Sequence, residues 1–144
     1  MDTRFSVACH TLMMIAGSDS PLSSECIARS VGTNASYIRK ITALLKNAGI
    51  IESRKGVSGF ALRIPPEELT LFAVYQAVEQ TERVHIFDVH ANPNDKCIVG
   101  KHIRPVLGEV FESAEQSARR QLQNTTLAAC MDKIREKENR SKTR

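Results

Sequence analysis

Apolar residues at the start of the chain recur at three- and four-residue steps, namely Phe5, Ala8, Cys9, Leu12, Ile15 and Ala16, until Gly17-Ser18-Asp19-Ser20-Pro21 breaks the pattern. That spacing lines one face of an α-helix and predicts an amphipathic helix closed by a turn. Ile27, Ala28 and Val31 predict a second, short helix, capped by Ser23 or Ser24 and ended by Gly32. After the turn Gly32-Thr33-Asn34, the apolar positions Ile38, Ile41, Leu44, Leu45 and Ala48 predict a third helix, with Asn34 as its N-cap and Gly49 at its stop. The period then changes. Residues 50–53 and 60–64 read as two short strands around a basic, glycine-containing tip, which predicts a β-hairpin directly behind the third helix.

The second half has a different rhythm. Thr70 can cap a helix carrying Leu71, Val74, Tyr75, Ala77 and Val78, and residues 81–96 read as a loop with the turn Asn92-Pro93-Asn94-Asp95. Ile103, Val106, Leu107, Val110, Phe111, Ala114, Ala118 and Leu122 form the longest helical pattern, with Pro105 tolerated near its start or at a kink. A last helix from about Thr126 to Lys137 carries Leu127, Cys130, Met131 and Ile134 on one face, and a charged tail follows. The expected fold is mainly α with a small β-hairpin wing, a winged helix-turn-helix followed by a long C-terminal dimerisation helix. The expected organisation is a winged domain over 1–80, a sensor loop over 81–102, dimerisation helices over 103–138 and a flexible tail over 139–144. So long an apolar stripe needs a cover. A symmetry mate supplies it in one reading and the chain's own domain in the other; two-fold helix-turn-helix proteins favour the first.

Composition and charge narrow the chemistry. With 144 residues, 42% hydrophobic and 25% charged, the chain can bury a core without staples. No apolar run reaches the roughly 20 residues that span a bilayer, and the first residues lack the basic start of a signal peptide, so no membrane partner and a cytoplasmic location are expected. The four cysteines, Cys9, Cys26, Cys97 and Cys130, lack the dense spacing of a disulfide framework and are expected as thiols. The net charge of +4 resides wholly in residues 1–64, which hold eight Lys or Arg against four Asp or Glu, while the remainder is balanced. On the third helix, the face away from the apolar stripe carries Ser36, Arg39, Lys40, Lys46 and Asn47, with no acid between Asn34 and Ile51. Small and cationic groups of this kind donate to phosphates and base edges of double-stranded DNA. Arg54 and Lys55 at the hairpin tip can reach the backbone or the minor groove.

Cys97 follows the 92–96 turn at the entry to the long helix, beside Lys96, Lys101 and His102. A helix N-terminus and nearby cations favour thiolate over thiol, which predicts an oxidant-reactive cysteine. Cys9, Cys26 and Cys130 sit at apolar helical positions, as buried inert thiols do. His85, His90, Cys97 and His102 could alternatively serve a metal-responsive regulator, but their spacing matches no zinc module and neither metal nor cofactor is expected. No Cys-x-x-Cys, nucleophile elbow, phosphate loop or paired acid motif is present, so no enzyme activity is expected. A winged-helix module that binds protein remains an alternative, disfavoured by the polar free face of the third helix.

The order of 22–31, then Asn34-Ala35-Ser36-Tyr37-Ile38-Arg39-Lys40-Ile41, then Leu45-Lys46-Asn47-Ala48-Gly49-Ile50-Ile51-Glu52-Ser53-Arg54-Lys55-Gly56, resembles the winged-helix repressors of the Rrf2 family. That family includes bacterial regulators of iron–sulfur clusters and of cysteine metabolism. By the resemblance, Ser36, Tyr37, Arg39 and Lys40 take the base-reading and phosphate-contacting start of the recognition helix. Two departures stand out. The family's Gly-Gly-Tyr wing is Ser58-Gly59-Phe60 here, and where cluster-binding members have three clustered cysteines after the wing, this chain has Cys97 alone. The segment 92–101 is similar to a branch without a cluster. The resemblance therefore implies a homodimeric repressor on a palindromic operator that senses oxidants or electrophiles through Cys97, with Cys26 or Cys9 of the partner subunit as candidates for a disulfide.

Overall fold

A computed structural model describes residues 2–54 and 59–143, with the order α1 (Arg4–Gly17), α2 (Ser24–Val31), α3 (Ala35–Asn47), β1 (Ile51–Ser53), β2 (Phe60–Leu62), α4 (Leu71–Glu79), α5 (Ile98–Gln123) and α6 (Leu127–Lys142). Four helices start where a short polar side chain precedes an apolar repeat. Ser23 accepts the Cys26 N–H at 3.2 Å and Asn34 the Tyr37 N–H at 2.8 Å. Thr70 and Thr126 do the same for Ala73 and Ala129, each at 3.1 Å. Each bond satisfies one of the backbone donors a helix start leaves open. Gly32 ends α2 at φ 86°, a left-handed conformation that costs glycine little, and so turns the chain directly into Asn34 and α3.

The helices bury one continuous core. Ala8, Leu12 and Ile15 of α1, Ile27 of α2, Ile38, Ile41 and Leu45 of α3, and Val74 and Val78 of α4 are all buried in it. A fully buried Leu or Ile contributes about 1.5–3 kcal/mol over its exposed state, so this cluster holds the helix-turn-helix rigidly. The wing strands pair antiparallel, Ile51 opposite Leu62 and Ser53 opposite Phe60, with Ile51 buried at the base. Lys55, expected at the wing tip, lies outside the described residues.

The chain forms two compact units, one made of residues up to Thr81 together with those from Leu122 onward, the other Glu82–Gln121. The sequence grouped 103–138 as one arm, but α6 belongs with the first unit. Its start is stitched to the start of α4 by a Thr70–Thr126 bridge and by the Leu127 N–H on the Leu69 carbonyl at 2.8 Å, and Leu127 itself is fully buried. α6 also continues to Lys142, so the expected tail from residue 139 is helical through that point. Ion pairs one turn apart, Asp132–Arg135 and Glu138–Lys142, together with cations in the last turn, favour this extension.

In the second unit, α5 begins at Ile98 rather than near Ile103, which ends the loop at Cys97. The Asn94 carbonyl accepts the Cys97 N–H at 3.3 Å and folds over the first turn of the helix. A Cβ at Gly100 would collide with that carbonyl, so glycine is what permits the turn to close there. Pro105 lies inside α5 and leaves the Lys101 carbonyl without its helical donor. Among the described residues of α5, Glu115 alone is buried. Among the described residues no helix is long and apolar enough to cross a membrane.

Candidate nucleic-acid interface

α3 is anchored by its apolar side and presents the other. Ile38, Ile41 and Leu45 are buried, while Ser36, Arg39, Lys40 and Lys46 are exposed. Tyr37 is half-buried and packs against the core, so less of it is available to a duplex than of its neighbours. Lys46 reaches back to the wing, its Nζ donating to Ser53 Oγ at 3.0 Å, which ties the end of the recognition helix to β1. Arg54, just past β1, is exposed and borders a cleft of about 230 Å³ with Asp19, Pro21 and Phe60. Ser36, Arg39, Lys40 and Lys46 thus lie on one element beside a hairpin, the arrangement in which a helix enters a major groove and a wing follows the backbone.

One acid was not legible in the local sequence. Glu25, in the first turn of α2, pairs with Arg39 at 3.3 Å, although α3 itself carries no acid. Fourteen positions of chain separate the two residues, and only the helix-turn-helix geometry brings them together.

In the second unit, Cys97 is exposed immediately before α5. The backbone N–H groups of Gly100 and Val99 point to its sulfur and hold its pKa below the ordinary thiol value. In the first unit, Cys9 is half-buried, and burial with the nearby Cys130 pushes its thiol up to about 12. Cys26 and Cys130 are half-buried too. The loop ahead of Cys97 is held by Glu115, only 3% exposed, whose carboxylate accepts from the Ile86 N–H at 2.5 Å and the Phe87 N–H at 3.2 Å, with Arg83 at 3.4 Å and His85 at 3.6 Å. The Ile86 N–H is the chief cause of its lowered pKa, which the other donors and His85 reinforce against burial. His85 turns its other nitrogen to Asp88 at 2.7 Å. Among the described residues, no three His, Cys, Asp or Glu side chains converge where a metal ion could be held, so His85, His90, Cys97 and His102 are not brought together as ligands.

A family model described as "Rrf2: Iron-dependent Transcriptional regulator" matches residues 1–133. A Bacillus subtilis (strain 168) protein, the candidate HTH-type transcriptional regulator YwnA, is 41% identical over 134 residues, 93% of this chain and 98% of the relative. The chain belongs to the Rrf2 family. This Rrf2 protein is also similar to a crystal structure described as a candidate DNA-binding protein, at 38% identity and TM-score 0.71, covering 89% of this chain and 98% of that one. CymR, the global cysteine regulator of B. subtilis, shares the fold at 19% identity and TM-score 0.68, over 92% and 95% of the two chains. The winged helix-turn-helix expected from the sequence is the fold of these regulators, and their role is DNA-binding transcription regulation, not catalysis.

The family's iron dependence invites a test of the donor set. Iron–sulfur clusters are held by several thiolates. The second unit of this Rrf2 protein supplies one, Cys97, and its His85 is hydrogen-bonded to Asp88 and lies 3.6 Å from the Glu115 carboxylate. These residues do not fit an iron–sulfur cluster.

Proposed function

We propose that this protein is a homodimeric repressor that reads a palindromic operator with α3 and its wing, and that Cys97 within a sensor segment over 81–102 couples DNA binding to oxidant or electrophile stress. The observation that carries the DNA reading is the exposed face of α3, which bears cations and no acid of its own, over a side locked into the core. Ser36, Arg39 and Lys40 address base edges and phosphates near the helix start, Tyr37 contributes its exposed part, and Lys46, Arg54 and Lys55 address the backbone. Exposed valines on α5, Val99, Val106 and Val110, support a pairing helix, because apolar side chains left in water on a long helix gain from a second copy.

The redox step starts at the Cys97 thiolate. It attacks a hydroperoxide, giving the sulfenic acid and releasing the leaving oxygen as hydroxide or alcohol after proton transfer. A second thiol, from Cys26 or Cys9 of the partner subunit, displaces water from that sulfenic acid and forms a disulfide. A bond of this kind fixes the angle between the two recognition helices and so changes operator affinity.

Selecting bound genomic fragments with reduced and with peroxide-treated protein tests both parts. Reduced protein is expected to enrich fragments with half-sites about one helical turn apart, and treatment is expected to change that enrichment. Arg39→Ala should flatten sequence preference, and Lys55→Ala should weaken binding to every sequence and reduce its salt dependence. Cys97→Ser should bind DNA and ignore peroxide, hypochlorite and diamide. A Cys97→Ser protein that still responds overturns the sensor assignment, and a reduced protein that enriches nothing overturns the DNA reading.

A further inference from the structure

The ion pair between Glu25 and Arg39 is out of place on a surface meant for a polyanion. Its distance is 3.3 Å, and both side chains remain open to solvent, 64% and 59% exposed. A carboxylate there repels phosphates and lowers affinity for DNA of any sequence. An arginine left to swing, however, satisfies itself on a phosphate as readily as on a base, whereas one whose guanidinium plane is fixed can present two parallel donors to the O6 and N7 of a guanine. Glu25 sits in the first turn of α2, a helix fixed by the Ser23 cap and by Ile27 in the core, so the backbone that carries its carboxylate is set in place beside Arg39.

We propose that Glu25 is a positioning residue for base specificity: it accepts from Arg39 Nη1 and holds the guanidinium so that its remaining donors face a guanine edge in the major groove. The inference rests on the DNA reading above. General attraction to DNA is lowered by the Glu25 charge, and discrimination at one base pair is raised by its geometry. These two effects have opposite signs, and they separate under substitution.

Full-length wild-type protein is first used to select from a duplex pool randomised across two half-sites. The enriched sequence and its single base-pair variants are then titrated by anisotropy with wild type, Glu25→Ala, Glu25→Gln and each change in an Arg39→Ala background. Both Glu25 changes remove one negative charge and should tighten binding to random-sequence duplex to the same degree. Both also remove the same acid from the first turn of α2, so any loss of helix stability is common to them. Glu25→Ala should lower discrimination at one base pair by up to about fivefold, the range of an exposed ion pair. Glu25→Gln, which keeps an acceptor for the guanidinium, should retain most of that discrimination, and with Arg39→Ala present neither change should alter preference. Identical preference profiles for Ala and Gln, whether both unchanged or both degraded, would overturn the proposal. If wild type enriches no sequence, the failure lies in the DNA reading itself.

Discussion

In the first unit the side chains withdrawn from water are Leu12, Ile27, Ile38, Ile41, Leu45 and Leu127, all essentially unexposed, whereas on α5 of the second unit the buried residue is Glu115 while Val99, Val106 and Val110 stand 63%, 57% and 57% exposed. Apolar burial is the main driving force for folding, and the second unit has far less of it, with Val84 buried and the Phe87 and Phe111 rings 5.1 Å apart. A buried carboxylate fixes geometry, here the path of residues 83–87, but its desolvation offsets most of what its bonds contribute. The contrast separates a helix-turn-helix held by its own apolar core from a helix whose valines stand in water.

The same contrast is written into two thiols, and it gives the largest expected effect. Cys9, in the first unit, is raised from 9.0 to about 12, while Cys97, in the second, is lowered by the Gly100 and Val99 amides. Three pH units are about a thousandfold in thiolate fraction, and the thiolate is the nucleophile. A low-pKa thiolate is also a weaker nucleophile, so iodoacetamide labelling of native protein at pH 7, followed peptide by peptide, should modify Cys97 on the order of a hundredfold faster than Cys9. Labelling of both within tenfold of each other would erase the distinction.

Core truncation should come next in size. Leu127→Ala removes a fully buried side chain from the first unit, and its loss plus the cavity left behind costs about 2–5 kcal/mol, read by urea unfolding. Val110→Ala, on the exposed stripe, should cost little in dilute protein and, if α5 pairs as proposed, more as concentration rises. A concentration-independent loss equal to that of Leu127→Ala would mean that α5 is covered within one chain.

Glu115 offers a smaller, local effect. Replacing it by Ala leaves the N–H groups of the exposed Ile86 and Phe87 to water, a cost of about 0.5–1.5 kcal/mol confined to the loop. Amide exchange at those two residues should accelerate while α1 and α3 keep their protection. Because the folded pKa is depressed, the contribution is present above the unfolded value near ~4.3 and disappears as pH falls through the folded value. Protection at Ile86 and Phe87 should therefore persist at neutral pH and vanish in acid. Protection that is flat down to pH 2 would show that the carboxylate does not clamp the loop.

What the sequence made legible, and what it hid, follows the range of each interaction. Ser23, Asn34, Thr70 and Thr126 act on backbone three residues away, so residue type and local spacing brought forward Asn34, Thr70 and the Ser23–Ser24 pair as caps and set the last helix to begin near Thr126. The apolar periods of α1 to α4 likewise identify the core. The place of α6 was hidden because Leu127 and Leu69 meet only in three dimensions. Glu25 and Arg39, and Glu115 with Ile86, are non-local in the same way, and a glutamate on a polar helix reads as solvated until its partner is seen. The apolar period of α5 begins at Ile103, whereas the helix starts at Ile98, where the missing Cβ of Gly100 admits the Asn94 carbonyl.

One flaw remains inside the core of the first unit. Thr11 lies on the apolar face of α1, fully buried, and its hydroxyl has no hydrogen-bond partner among the described residues. A buried hydroxyl without a partner keeps its desolvation cost and returns nothing, and valine has nearly its shape without the polar atom. Thr11→Val should therefore stabilise the first unit by about 1 kcal/mol in urea unfolding, with no change in Ile86 or Phe87 exchange. A destabilised variant would mean that the hydroxyl is satisfied in solution, and the first unit would then share the second unit's reliance on a polar contact in its interior.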